Sequence, residues 1–446
     1  MSIKLTLKLI VLLSAVLSSE LAAQTSWTKH PTPVLSRSAI FPDWKGLATA
    51  DAYVMNDNDT LKMWYSGSGW LTSTDDCPHV RMGYAWSLDG INWNEYAGNP
   101  VLNISSDTSQ FDYDGIETPT VIKDPSAPSN QRYKLWYAGR KTRCQPVNDH
   151  QFGYAYSPDG INWTKYSGNP VLIPGNSSSW YNTFLSSPSV ILENGIYKMW
   201  FTAPDLVMNS QPTDGKGNIG YATSVDGISW TVYPSAVLIA GAQSNWDSAS
   251  IAEPSVVKIG TTYHMFYSAL DQWTIENFQV GYATSTDGIN WIKSTQNPIL
   301  QIGNAGQWDR YWASHPAVIY DSTSNKFKMW YTGRDTATIV TLNGYYWDIG
   351  YAESIFVTGI DGNYTGGKSI VLYPNPAQNT IKIETSFDLK NTNIIIYNQT
   401  GQIEKCISNI NTNSIEIETV DLPNGVYYLT LRNDEVWVNK TFILSR

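Results

Sequence analysis

At 446 residues the chain can bury a large core and hold more than one domain, and its composition is rich in rings, with 19 Trp, 28 Tyr and 11 Phe against three Cys. A formal net charge of −10, with no long basic run, argues against nucleic acid or a strongly anionic polymer as partner. No Cys and His spacing reads as a zinc site.

Lys4 and Lys8 precede an apolar run from Leu9 to Leu17, and Leu21-Ala-Ala23 offers small residues for cleavage, so residues 1–23 are expected to be a secretory signal peptide. No later stretch is apolar enough for a transmembrane segment, and the mature protein is expected to be exported and soluble.

Residues 24–354 carry an internal repeat. The stretch SxDGxxW occurs at Ser87–Trp93, Ser157–Trp163, Ser224–Trp230 and Ser285–Trp291, each time after Gly-Tyr-Ala, and three copies continue into Asn-Pro-Val/Ile-Leu. Asp-Gly between apolar runs signals a tight hairpin, because Gly accepts φ > 0 and Asp caps the turn. These aspartates therefore read as structural. Another run, Tyr133–Ala138, recurs at Leu61–Tyr65, Tyr197–Phe201, Tyr263–Tyr267 and Phe327–Tyr331. Four alternating runs in succession, the last spanning Trp163 to Leu172 in the second copy, predict an antiparallel sheet. Repeated around an axis, such sheets predict an all-β five-bladed β-propeller. The last copy stops at Ala352 without a final run, and Trp27–Leu35 supplies one, so the N-terminal strand is expected to close the ring.

Cys77 and Cys144 fall in corresponding long loops, where an oxidising compartment permits a disulfide or two separate thiols; Cys406 lies elsewhere. Residues 355–369 read as a linker and 370–446 as a small C-terminal β-sandwich. Leu372-Tyr-Pro-Asn-Pro376, the run Leu422–Leu429 and the position at the chain end resemble the C-terminal sorting domain of type IX secretion. That resemblance implies the type IX secretion machinery as a partner, and release or surface attachment after export.

The connectors between sheets align on Trp44, Phe111, Trp180, Trp246 and Trp308, and seven residues after each stand Asp51, Thr118, Ser187, Glu253 and His315. These are expected to ring the axis at the rim that carries the long loops, with Glu117 one residue before Thr118. A polar, water-filled channel would account for them structurally. Cleaving a glycosidic bond instead needs two carboxyl groups, one protonating the leaving oxygen and the other activating water or attacking the sugar. Asp51 and Glu253 are expected to face each other across a funnel, with Glu117 as a third carboxylate or the true second one. Trp70, Trp273, Trp312 and Trp347 are candidate stacking rings for a carbohydrate substrate, or local anchors. Arg140 and Arg334 could bind sugar hydroxyls or a carboxylate, or pair with Asp112 and Asp335. His79 and His150 read as loop hydrogen-bonders.

A ring with Asp, Glu and His on its first, fourth and fifth sheets resembles the clan of five-bladed glycoside hydrolases that includes families 43, 32, 117 and 130. The resemblance implies Asp51 as general base and Glu253 as general acid. It makes His315 an axial histidine that in some members helps hold a metal ion, so a calcium-like ion near His315 is the one metal expected, and no cofactor is required. Family 43 carries a third-blade Asp where this chain has Ser187. Either Glu117 substitutes, or the family differs, or the reaction does. A secreted glycoside hydrolase and a non-catalytic carbohydrate-binding or adhesion propeller both remain readings. A lyase or esterase is a third, though no nucleophile-elbow motif supports an esterase.

Overall fold

The structure, a computed structural model, describes residues 27–446 except 71, 74–76, 143–148, 206–215, 272–276, 335–345, 356–369, 386–388, 399–401 and 433–436. The signal peptide, almost all of the linker, Cys144, Trp273 and Asp335 therefore lie outside the described residues. The chain divides into two compact units, with Gln24–Phe356 as one and Val357–Arg446 in the other.

The first unit begins with β1 (Thr28–Lys29) and then repeats one antiparallel meander. It runs as β2 (Ala48–Asp57), β3 (Thr60–Gly69), β4 (His79–Ser87) and β5 (Asn94–Glu95), and next as β6 (Gly115–Lys123), β7 (Tyr133–Arg140), β8 (Gln151–Ser157) and β9 (Thr164–Lys165). It continues with β10 (Ser186–Glu193), β11 (Ile196–Asp205), β12 (Lys216–Ser224) and β13 (Thr231–Val232), then β14 (Ser250–Ile259), β15 (Thr262–Leu270), β16 (Gln279–Ser285) and β17 (Ile292–Lys293). The last meander has β18 (Trp312–Asp321), β19 (Lys326–Arg334) and β20 (Asp348–Ile355), and its outer strand is β1. Thr28 pairs with Glu353 and Lys29 with Ala352, and Leu35 bridges Ile349, as the missing final run required. The first strands β2, β6, β10, β14 and β18 pack each against the next, and β18 packs back on β2.

Three recurrent sequence features now have physical causes. A Cβ at Gly83 would lie 2.4 Å from the Tyr65 ring and 2.6 Å from Trp44, and Gly153, Gly220, Gly281 and Gly350 are covered in the same way by a strand ring and a connector ring. The Gly of Gly-Tyr-Ala is thus the floor on which the aligned connector aromatics lie. In SxDG, Asp89 Oδ1 accepts the N–H groups of Ile91 and Asn92 at 2.8 Å, while Gly90 holds φ at +81°. The Gly carbonyl accepts from the Trp of its own motif at Gly90, Gly227 and Gly288, at 3.0–3.2 Å, and also from a neighbour. Trp64, Trp136, Trp200 and Trp330, all fully buried, donate their indole N–H to Gly160, Gly227, Gly288 and Gly90 of adjoining sheets at 2.7–2.8 Å.

The outer runs differ from the expected strands. Each outer strand is two residues long, followed by a single bridge such as Phe152 to Leu172. In three of the five meanders the Asn of Asn-Pro fills the gap. Asn169 accepts from Tyr154 N at 2.8 Å and donates to Tyr154 O at 2.9 Å, so a side-chain amide takes the place of a backbone partner; Asn99 and Asn297 do the same for Tyr84 and Tyr282.

In the second unit β21 (Ile370–Tyr373), β22 (Thr380–Thr385) and β25 (Ser414–Glu418) form one sheet. β24 (Ile403–Ile410), β23 (Thr392–Tyr397), β26 (Gly425–Arg432) and β27 (Trp437–Leu444) form another. Ile381, Ile383, Ile394, Ile396, Leu429 and Phe442 from both sheets are buried in one core. Among the described residues no helix is long and apolar enough to cross a membrane.

Candidate active site

The aligned ring positions share one backbone device. Asp51, Thr118, Ser187, Glu253 and His315 all hold φ between +47° and +59°, each at a register shift where an inner strand bulges. A bulge re-aims the side chain out of the ladder, and here the side chains line a shared cavity of about 690 Å³. Left-handed conformation is costly for these residue types, so something must hold it. Their backbone N–H groups are caught by hydroxyls of neighbouring sheets. Thr332, Ser66, Thr202 and Ser268 accept from Asp51, Thr118, Glu253 and His315 at 3.1, 3.1, 2.7 and 2.9 Å. Ala138 has no hydroxyl at the corresponding place, and Thr118 Oγ1 accepts from Ser187 instead at 3.2 Å. The sequence carries this signal in the Ser or Thr two residues after Trp64, Trp200, Phe266 and Trp330, Trp136 with Ala138 being the exception.

Asp51 and Glu253 do not face each other across open space. His315 stands between them, its Nε2 lying 3.1 Å from Asp51 Oδ1 and 3.0 Å from Glu253 Oε1. Its backbone N–H also donates to Glu253 Oε2 at 2.9 Å. Burial pushes the Asp51 carboxyl above its ordinary range, His315 opposes this, and the negative charges of Glu117 and Glu253 add to the rise, with Ser66 hydrogen-bonded to the carboxyl. Glu117 behaves in the opposite sense. Burial would raise it too, but the charge and hydrogen bond of His150, then Arg140 and His315, outweigh burial and hold it at about 2.

The remaining candidates are more dispersed. Ser187 lines the cavity. Arg140 pairs with Asp114 at 2.9 Å rather than with Asp112, which is taken by Lys165 and Tyr137. Arg334 is buried over the Trp312 ring at 4.6 Å. Trp312, also buried, stacks with Trp347 at 5.8 Å and Phe278 at 4.4 Å, which leaves little of its face for a ligand. Trp70 meets exposed Phe41 at 5.3 Å. His79 is paired with Asp114, and His150, expected as a loop hydrogen-bonder, bonds the Glu117 carboxylate with Nε2 2.6 Å from Oε1.

Among the described residues, three potential metal ligands approach within 4.8 Å of one another at Cys77, His79 and Asp114, and the His315 group is not so drawn together. Cys77 is disulfide-bonded and Asp114 already binds Arg140, so that cluster does not suit a cation. Cys406 is a free, exposed thiol.

Residues 371–445 match the secretion system C-terminal sorting domain. The chain carries a type IX sorting domain. It is thereby directed to the cell surface or to secretion. An uncharacterised protein of Mycobacterium tuberculosis is 28% identical over 174 residues, 39% of this chain and 49% of that one. A 1,2-beta-oligomannan phosphorylase and a beta-1,2-mannobiose phosphorylase of Thermoanaerobacter sp. are 24% and 27% identical over 131 and 135 residues, in each case 29% of this chain and 44% of the relative. The chain spans about half the length of the curated relatives it matches. Among solved structures, a glycoside hydrolase aligns with TM-score 0.57 at 17% identity, covering 78% of this chain and 96% of that one. A structure from the GH130 family of mannoside phosphorylases and β-1,2-mannoside hydrolases aligns with TM-score 0.55 at 15% identity, covering 74% and 94%. At such identities the likeness shows the fold, that of the propeller glycoside hydrolases.

Proposed function

We propose that the first unit is a five-bladed β-propeller that cleaves a glycosidic bond of an oligo- or polysaccharide, and that the second is a small β-sandwich that exports it. One observation carries the catalytic reading: Asp51 and Glu253 line one cavity on either side of His315, and Glu117 acts on Asp51 as a nearby charge, with the burial-raised Asp51 and the His150-bound Glu117 displaced from each other in protonation. Pairs of carboxyl groups whose environments push them apart mark acid and base roles. Asp51, raised by burial, suits the proton donor, and Glu117, held ionised, suits the group that activates the attacking oxygen. This reverses the base role implied for Asp51 by the family resemblance. Glu253 grips His315 at both backbone and ring, and so fixes the imidazole beside Asp51.

The curated relatives are named as mannoside phosphorylases, so β-1,2-linked mannosides are the first substrates to try, with and without inorganic phosphate. Arg140 close to Glu117 favours phosphorolysis as a second reading, because a guanidinium suits an attacking phosphate. Released sugar is expected in water alone for a hydrolase and only with phosphate for a phosphorylase. Asp51→Asn, Glu117→Gln and Glu253→Gln are each expected to lower the rate by roughly 10²–10⁴-fold. Full activity in Asp51→Asn and Glu117→Gln together would overturn the assignment. Glycan binding without bond cleavage would leave a binding propeller.

A further inference from the structure

The five connectors that lead into the inner strands are closed by the same backbone bond. Ser38 N donates to Lys45 O, and Ser105, Gly175, Gly241 and Gly303 donate likewise to Asp112, Tyr181, Asp247 and Asp309, all at 3.0–3.1 Å. Four of the enclosed tips are polar or small: Ser-Asp-Thr-Ser-Gln at 106–110, Asn-Ser-Ser-Ser at 176–179, Ala-Gln-Ser-Asn at 242–245 and Asn-Ala-Gly-Gln at 304–307. The first reads Ala39-Ile-Phe-Pro-Asp43 instead, and it leaves Ile40 71% and Phe41 62% exposed. Folding does not call for this difference, because large apolar side chains left in water add nothing to a core.

Phe41 has a companion. The Trp70 ring stands edge-on to it, with centroids 5.3 Å apart and planes at 69°. The corner they make is held from the backbone. Asp43 O accepts from both Gly46 N and Trp70 N at 3.0 Å, and Asp43 Oδ1 accepts from Lys45 N at 2.9 Å. A Cβ at Gly69 would fall 2.1 Å from Asp43 O, so the connector and the end of β3 lie backbone on backbone here. The basic side chains of this connector are engaged, Arg37 with Asp348 at 2.5 Å and Lys45 with Glu95 at 2.6 Å. What the corner presents is therefore ring surface rather than charge, and holding it in place beforehand lowers the cost of binding.

Its place on the scaffold ties it to the acids. Ser66 of β3 pairs with Ala50, the neighbour of Asp51, and its hydroxyl accepts from Thr118 N of the ring at 3.1 Å. Trp70 follows four residues later on the same strand line, about 13 Å away at about 3.3 Å per residue. A sugar on the corner and a sugar at the acids would be different units of one chain.

We propose that Phe41 and Trp70 form an outer subsite, which stacks one ring of a neutral oligosaccharide whose other end lies at Asp51 and Glu253. The inference rests on the carbohydrate reading of the cavity given above and deepens it: the substrate is a chain of several units, not a disaccharide. The C–H face of a pyranose is an apolar patch that an aromatic ring covers while the hydroxyls stay in water, whereas an anionic polymer would meet only cations already paired.

The test reads binding, not turnover. In full-length protein carrying 4-fluorophenylalanine, the 19F signal of Phe41 is identified by its loss in Phe41→Leu. Three neutral hexasaccharides are then titrated: β-1,2-mannohexaose, xylohexaose and arabinohexaose. At least one is expected to shift the Phe41 signal saturably, and the matching disaccharide to shift it far less at equal concentration. Trp70→Ala should weaken that binding roughly tenfold, and Trp70→Phe, which keeps a ring, should restore most of it. If Trp70→Ala does not fold, Phe41→Ser, at an exposed position, is read in its place by calorimetric titration of the same hexasaccharide. A Phe41 signal that no hexasaccharide moves overturns the proposal. So does one that moves with protein concentration alone, which would assign the corner to a second copy of the chain. The two readings fail separately: cleavage of a hexasaccharide with an unmoved Phe41 signal removes the outer subsite and leaves the acids, while a saturable shift without cleavage leaves the subsite and removes the enzyme.

Discussion

At the scale of single residues, the ring positions show how a fold can impose one backbone state on unlike side chains. Ser187 sits at φ 51° with no catalytic group to offer. Ser187→Gly is expected to stabilise the protein by up to about 1 kcal/mol in urea unfolding, because glycine adopts that state without steric cost. His264 gives the pH dependence. It is buried with Tyr282 at 2.6 Å, and burial lowers its pKa from 6.5 to about 4. The unfolded chain therefore binds a proton that the folded one refuses, and stability should fall as pH drops from about 6.5 to 4, by roughly 3 kcal/mol. Urea midpoints across that window should flatten in His264→Gln. The acids held lowest, such as Asp57, add their own loss only further down, below the ordinary carboxylate range. Asp51, Glu253 and His315 were legible because a fixed spacing from an aromatic marked them. His150 was not, since no fixed spacing ties a loop histidine to Glu117 two strands earlier, and the Ser/Thr latches, though regularly placed, did not disclose partners that lie on neighbouring meanders. Trp312 and Arg334 looked like rim residues in sequence, but both are buried, the guanidinium lying over the indole ring at 4.6 Å.

At the scale of strands, the repeats keep an ion pair while exchanging its ends. Asp112–Lys165, Asp247–Lys293 and Asp309–Lys29 join a connector acid to an outer-strand lysine at 2.5–2.6 Å. In the first meander the charges are reversed as Lys45–Glu95 at 2.6 Å, and in the third both are replaced by Tyr181 and Val232 in one apolar cluster. Lys165→Glu, which faces buried Asp112 with a like charge, is expected to cost on the order of 2 kcal/mol, and adding Asp112→Lys should recover most of it. A double-mutant cycle by thermal unfolding reads the coupling. The Trp-to-Gly bonds follow the same logic. β15 has Phe266 where its sister strands have Trp, and the sheet it adjoins has no Asp-Gly turn to receive an indole N–H. Trp27 packs edge-on against Phe266 at 5.8 Å. The sheet order was thus readable from period and hairpin signals. The outer strands were overextended in that reading, because period-2 patterning cannot tell a ladder from an Asn side chain that imitates one.

At the scale of the whole molecule, the two units have separate cores, and residues 24–356 without the sorting domain are expected to keep their unfolding midpoint within about a degree when compared by calorimetry. Removing residues 27–35 should act very differently. It strips β20 of its only outer partner and takes Leu35 from the core it shares with Trp330 and Ile349, so a fall in midpoint of several degrees is expected. That same pairing of Thr28 with Glu353 has a bearing on biogenesis. Thr28 must wait for a mate more than three hundred positions later in the chain, so this closing contact is slow to form and cannot be made while residues near 353 are still being threaded.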